Sequence, residues 1–119
     1  MARKQTIALD FDGVIHRYSK GWHDGTAYDP PMPGAFDTIV KLRLRGYDVV
    51  IFSARPADQI KAWLLQHWPF KAPYGEPPMV TNQKPGAVAY IDDRAIRFEG
   101  DWDEVWKDLR KYVFSAKKK

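Results

Sequence analysis

Asp10-Phe11-Asp12-Gly13-Val14 sets two carboxylates at the end of one apolar run, and Asp92-Asp93 sets two more at the end of another. An Asp-x-Asp pair alone is ordinary: 12 aspartates in 119 residues give about one by chance. Asp101-Trp102-Asp103 is a second such pair, and we read it as helix-start chemistry. Position separates the first pair. Asp is disfavoured inside a strand, so Asp10 and Asp12 mark where a strand stops, and Gly13 lets the chain turn sharply after them. Four acids that converge on one sheet edge cannot all remain ionised without positive charge nearby. A hard divalent cation answers that need, and an all-oxygen donor set in a chain without cysteine favours Mg²⁺ over Zn²⁺. Asp10, Asp12, Asp92 and Asp93 are therefore the metal-site candidates.

Two further residues belong with them. Ser53 follows the apolar run Val50-Ile51-Phe52 and offers a hydroxyl and a backbone N–H to an anion. Lys84, in Asn82-Gln83-Lys84-Pro85-Gly86, lies just before the second acidic strand and can place an ammonium over the same site. Acids, a cation, a hydroxyl and an ammonium together describe metal-assisted phosphoryl transfer.

Such residues need elements to hold them. Residues 5–11 read as a strand, and 47–52 form a near-continuous apolar run, as expected of a strand covered on both faces. Residues 87–91 read as another buried strand, with short strands at 79–81 and near 96–98. Helical spacing places Phe36, Ile39, Val40 and Leu44 on one face of a helix over 34–45, with Pro33 at its start and Gly46 at its stop. A second helix over 57–68 presents Ile60, Trp63, Leu64 and Trp68, with His67 a structural residue on it. The last, over 102–114 and capped by Asp101, carries a Trp102/Trp106 stripe expected in the core. Strand and helix alternate as in an α/β parallel sheet, and polar residues gather past the strand ends, where such sheets bind ligands. Residues 14–32, rich in Gly, His and aromatics, form a long excursion after the first strand, a flap of the kind that often carries function.

Composition narrows the classes further. Apolar residues make up 45% and aromatics 14% of the chain, which excludes a disordered or fibrous protein. The absence of cysteine excludes a disulfide scaffold, a zinc ribbon and a thiol nucleophile. We expect one domain over residues 1–116 with a basic tail at 117–119, no signal peptide or membrane span, and a cytoplasmic location. The tail lysines account for three of the net +4, leaving +1 on residues 1–116. That balance lacks the clustered basic stripe of a tight duplex binder.

Asp10-Phe11-Asp12-Gly13-Val14, Ser53, Lys84 and Ile91-Asp92-Asp93 resemble, in order, the four motifs of haloacid dehalogenase-like phosphohydrolases. The resemblance covers about residues 6–98, and Ser53-Ala54-Arg55 and Asp92-Asp93-Arg94 look similar to small phage and bacterial hydrolases and to the phosphatase half of polynucleotide kinase-phosphatases. It implies a three-layer Rossmann-like parallel sheet ordered 5-4-1-2-3, here of a minimal type with a flap in place of a large cap. It also implies an Mg²⁺-dependent phosphomonoester hydrolase. Asp10 would be the nucleophile and Asp12 the acid and base. Ser53 and Lys84 would hold the phosphoryl oxygens. Mg²⁺ would be held by Asp10, the backbone carbonyl of Asp12, and Asp92 or Asp93. Arg55 would be a second phosphate clamp, since a guanidinium binds phosphate in a planar fork. Arg94 is read equally as a substrate contact or a structural ion pair. In the flap, His16, Tyr18, Trp22, His23 and Tyr28 are placed to meet the leaving group, or Trp22 and Tyr28 to pin the flap to the body.

A receiver-like signalling domain has similar parts in the wrong order: it needs its acceptor Asp after a middle strand, where this chain has Ser53. A silent phosphoryl-ligand module is disfavoured because Asp10 and Asp12 are both present. Expected substrates are phosphorylated small molecules, nucleotides or nucleic-acid ends, the last with 3′-phosphatase activity as the alternative. The uncapped, aromatic flap points to a homo-oligomer in which a neighbouring copy helps to cover the site.

Overall fold

The computed structural model describes residues 4–116, so the basic tail at 117–119 lies outside the described residues. Four strands, β1 (Thr6–Leu9), β2 (Asp48–Phe52), β3 (Met79–Thr81) and β4 (Ala89–Ile91), form one all-parallel sheet in the order β3-β2-β1-β4. Three helices accompany them: α1 (Ala35–Leu44), α2 (Ala57–His67) and α3 (Trp102–Tyr112). The elements fall close to where their patterns place them. One expected strand is missing, because residues 96–98 join no sheet. Helix α1 starts one residue later than its pattern suggested: Gly34, at φ 86°, is its cap, and Pro33 lies in the turn before it.

Strand alternation decides what is buried. Ile7 and Leu9 of β1 pair with Val49 and Ile51 of β2, and this face packs against Ile39 of α1 and Ile60, Trp63 and Leu64 of α2. Removing each such side chain from water stabilises the fold by about 1.5–3 kcal/mol. The other face carries Ala8, Val50, Phe52 and Tyr90, and no described helix covers it. The expected three layers are therefore two. The reason is local: the β3–β4 connection is an irregular loop over 82–88 that supplies no covering helix.

Three expectations are corrected. Strand β2 is covered on one face only, with Val50 and Phe52 half-buried on the other. Strand β4 is not buried: Tyr90, on the open face, is 43% exposed, and Ile91, level with Leu9 on the other face, is 44% exposed because β4 is an edge strand that neither α1 nor α2 reaches. Helix α3 has the expected cap, with the Asp101 carboxylate accepting from the Asp103 N–H at 2.9 Å. Its tryptophan stripe, however, is not core: Trp102 is 73% and Trp106 53% exposed, and among the described elements the helix packs against the short 3-10 turn Phe114–Ala116 alone, with Trp102 also beside the Phe98 ring of the preceding loop. The 3.6-residue period shows that a helix is amphipathic and says nothing of what its apolar face meets. The radius of gyration, 16.0 Å, exceeds the roughly 13.5 Å of a compact chain this long, as a helix standing off the sheet requires. No described helix is long and apolar enough to cross a membrane.

The flap between β1 and α1 is tied down rather than loose. Asp29 is its hub. The Asp29 N–H donates to His16 Nε2 at 2.9 Å, its carbonyl accepts from Trp63 Nε1 at 2.8 Å, and its carboxylate accepts from the Ser19 N–H and hydroxyl. The two Ser19 bonds hold the Asp29 carboxyl below the usual carboxylate range.

Candidate active site

Parallel pairing brings the acids level. Leu9 of β1 lies opposite Ile91 of β4, and the Asp10 N–H donates to the Ile91 carbonyl at 2.9 Å, so Asp10 and Asp92 leave the sheet side by side. One oxygen each from Asp10, Asp92 and Asp93 lie within 4.8 Å of one another. Two oxygens on opposite sides of one small divalent cation stand about 4.2 Å apart, so these three carboxylates are spaced as a set that could hold a metal ion. Gly13 makes the room. At φ +83° it turns the chain as expected, and a Cβ there would lie 2.2 Å from Asp93 Oδ2. Burial pushes the Asp10 carboxyl up to about 6, the Phe11 N–H bound to its Oδ1 at 2.8 Å opposes this, and the charges of Asp92, Asp93 and Asp12 add to the rise. Negative charge in excess of its partners, on oxygen donors alone, is what a hard cation relieves.

Asp12 stands apart from that cluster. Its Oδ1 accepts from His16 Nδ1 at 2.8 Å and from Arg55 Nη2 at 3.1 Å, and its Oδ2 from Arg55 Nε at 3.0 Å. His16 is fully buried, stacked on Phe11 with ring centroids 5.2 Å apart. Because its Nε2 accepts the Asp29 N–H, its proton sits on Nδ1 and points at Asp12. His16 was expected to meet a leaving group. With both nitrogens engaged and no exposed surface, it instead holds Asp12.

Arg55 is committed in the same way. Two of its N–H groups fork onto Asp12, and both on Nη1 go inward, to the Gly25 carbonyl at 3.0 Å and Gln59 Oε1 at 2.8 Å. Four of five donors are used, so the guanidinium expected to clamp phosphate orients Asp12 here. Ser53 is buried, its N–H donates to the Thr81 carbonyl, and its Oγ accepts from the Arg55 N–H, which leaves the hydroxyl proton alone to offer. The expected backbone donor at Ser53 is thus already spent.

Lys84 reaches the site from the uncovered side, its Nζ 4.8 Å from the Tyr90 ring centre. Arg94 borders the same opening, and its N–H donates to Asp92 Oδ1 at 2.8 Å. A groove of about 730 Å³ runs from the acids over the open sheet face, with Phe52 and Tyr90 in its wall and Tyr18 and Trp22 of the flap at its rim. Sequence reasoning missed Asp29 and Gln59 altogether. Gln59 is one exposed polar residue on an amphipathic helix, and Asp29 precedes Pro30-Pro31 in a stretch with no periodicity, so neither carried a signal.

No protein-family model and no curated protein matches this chain. Among solved structures it is similar to a conserved protein from Bacteroides thetaiotaomicron, at 20% identity over 95% of this chain and 96% of that one, with a TM-score of 0.49.

Proposed function

We propose that the protein is an Mg²⁺-dependent phosphomonoester hydrolase of the haloacid dehalogenase-like type that works through an aspartyl-phosphate on Asp10. The observation that carries this reading is the meeting of Asp10, Asp92 and Asp93 oxygens within 4.8 Å at the carboxyl ends of two neighbouring parallel strands. The sheet order supports it. Read from β4 it is 4-1-2-3, the order the resemblance implies without its outermost strand.

Asp10, Asp92 and Asp93 would hold the cation, with the Asp12 carbonyl as the further ligand that the resemblance implies. Bound there, Mg²⁺ would neutralise phosphoryl charge as it develops. The Phe11 N–H fixes the Asp10 carboxylate, and an Asp10 oxygen attacks phosphorus as the bond to the leaving oxygen breaks. Asp12 gives its proton to that oxygen, for which one of the donors on Asp12 must yield its place. Water then attacks the phosphorus, Asp12 takes its proton, and the Asp10 carboxylate is regained with release of phosphate. The Ser53 hydroxyl and the Lys84 ammonium bind the phosphoryl oxygens. Arg55 and His16 hold Asp12 in place.

The test is hydrolysis of an aryl phosphate. Turnover should require Mg²⁺, disappear on chelation and return when the ion is restored. Asp10→Asn should be inactive, and Asp12→Asn should accumulate phosphate on Asp10, seen by mass spectrometry. Undiminished turnover after thorough chelation, or parental turnover in Asp10→Asn, overturns the reading.

A further inference from the structure

The groove is much larger than a phosphate requires. At about 730 Å³ it falls within the 300–1,000 Å³ range of pockets that enclose a whole organic molecule. Four aromatic side chains line it together with the acids: Phe52 and Tyr90 on the sheet, Tyr18 and Trp22 on the flap. Trp22 stands out among these because it is 67% exposed although the flap around it is anchored. A scattered surface tryptophan would need no account. This one is seated. The Trp22 carbonyl accepts the Gly25 N–H at 2.8 Å, closing a tight turn, and a Cβ on Gly25 would come within 3.0 Å of the indole. The Arg55 guanidinium lies 5.9 Å from the ring centre, so the indole is coupled to the group that holds Asp12.

We propose that the substrate is a phosphomonoester with a flat heteroaromatic group, a mononucleotide, whose ring stacks on Trp22 while its phosphate meets Asp10. This rests on the phosphohydrolase reading above and names the substrate class of that site. Lys84 and Arg94 line the groove with the acids and supply positive charge for a phosphate, and the exposed indole of Trp22 on the flap supplies a face for the ring. A sugar phosphate would leave the indole and the sheet aromatics wet. A polynucleotide end would need phosphate contacts along a strand, and residues 1–116 carry only +1.

The experiment measures kcat/KM with Mg²⁺ on the full chain for adenosine monophosphate, ribose 5-phosphate and a 3′-phosphorylated oligonucleotide. The parent should prefer adenosine monophosphate to ribose 5-phosphate by at least about 10-fold. Aromatic stacking of a base corresponds to roughly 5- to 150-fold, so Trp22→Ala should shrink that preference by a factor in that range, chiefly through KM, and Trp22→Phe should restore most of it. Unfolding midpoints should match, since an exposed side chain is being removed. Equal turnover of the two small substrates, an equal loss on both in Trp22→Ala, or preference for the oligonucleotide overturns this inference and leaves the phosphatase reading standing. No turnover of any phosphomonoester, the aryl phosphate included, overturns both.

Discussion

Asp10→Asn should make the metal-free protein more stable at pH 8 and leave it unchanged at pH 4. The Asp10 carboxyl, half-buried beside three other acids, is raised from 3.8 to about 6. A carboxyl raised by folding holds its proton more tightly in the native state than in the unfolded one. The stabilisation this gives is complete below pH 3.8 and is lost as pH climbs through 6. Above that range the native state carries an ionised Asp10 at a cost. A fully buried group with this shift would cost about 3 kcal/mol, and water around a half-open carboxylate reduces the working figure to the order of 1–2 kcal/mol. Asparagine keeps the shape and an oxygen to accept the Phe11 N–H, and it removes the charge. Urea unfolding in chelator should therefore show the variant about 1–2 kcal/mol more stable at pH 8 and within about 0.5 kcal/mol of the parent at pH 4. Added Mg²⁺ should reverse the order at pH 8, because an ion that binds only the native parent stabilises it by mass action. A constant offset at both pH values, or a variant less stable at pH 8, would refute the reasoning.

Three further outcomes follow from particular contacts. Arg55→Met should lower stability by about 1.5–3 kcal/mol in thermal unfolding, because it removes the charged fork on Asp12 and leaves that part-buried carboxylate with His16 alone, and Arg55→Lys should not restore it for want of the fork. Trp63→Ala should cost about 3–5 kcal/mol in urea unfolding, whereas Trp106→Ala, on an exposed face of α3, should stay within about 0.5 kcal/mol. Gly13→Ala should cost about 1–2 kcal/mol through its left-handed backbone, and it should abolish the rise in melting temperature on adding Mg²⁺, because the new Cβ displaces Asp93.

Much of the fold is legible in the residues because each strand and helix announces itself through a short local period. Ala57–His67 falls almost where α2 is expected, since it buries one face on the core and the pattern records that burial; Asp48–Phe52 is as well bounded, but its continuous apolar run implied cover on both faces and only one is covered. Strand β4 and helix α3 show what periodicity omits. Ala89–Ile91 is apolar and Trp102–Tyr112 has an apolar stripe, yet both are exposed, because nothing in a local pattern names the element that lies opposite. The covering layer depends on the β3–β4 loop and on the path of residues 92–101, which contain no repeat to read.

The site divides along a similar line. Asp10, Asp92 and Asp93 are recoverable because Asp is disfavoured inside a strand and so marks where one stops, and the parallel pairing of β1 with β4 brings those two ends together. What lies around Asp12 is not recoverable, because it depends on contacts between distant residues. A guanidinium forks onto carboxylate and phosphate alike, so residue type cannot tell which anion Arg55 faces; only the fold, by setting it 3.0 Å from Asp12, decides. His16 is decided by burial in the same way: an imidazole with one nitrogen on Asp29 and the other on Asp12 is a strut, while the same ring turned to solvent would be a ligand. Together these contacts make one connected unit of flap and acid. Asp29 sets His16, His16 and Arg55 set Asp12, and Arg55 also lies beside Trp22 at the rim. The hydrogen bonds of the flap give a short loop the rigidity that positioning a bound group demands.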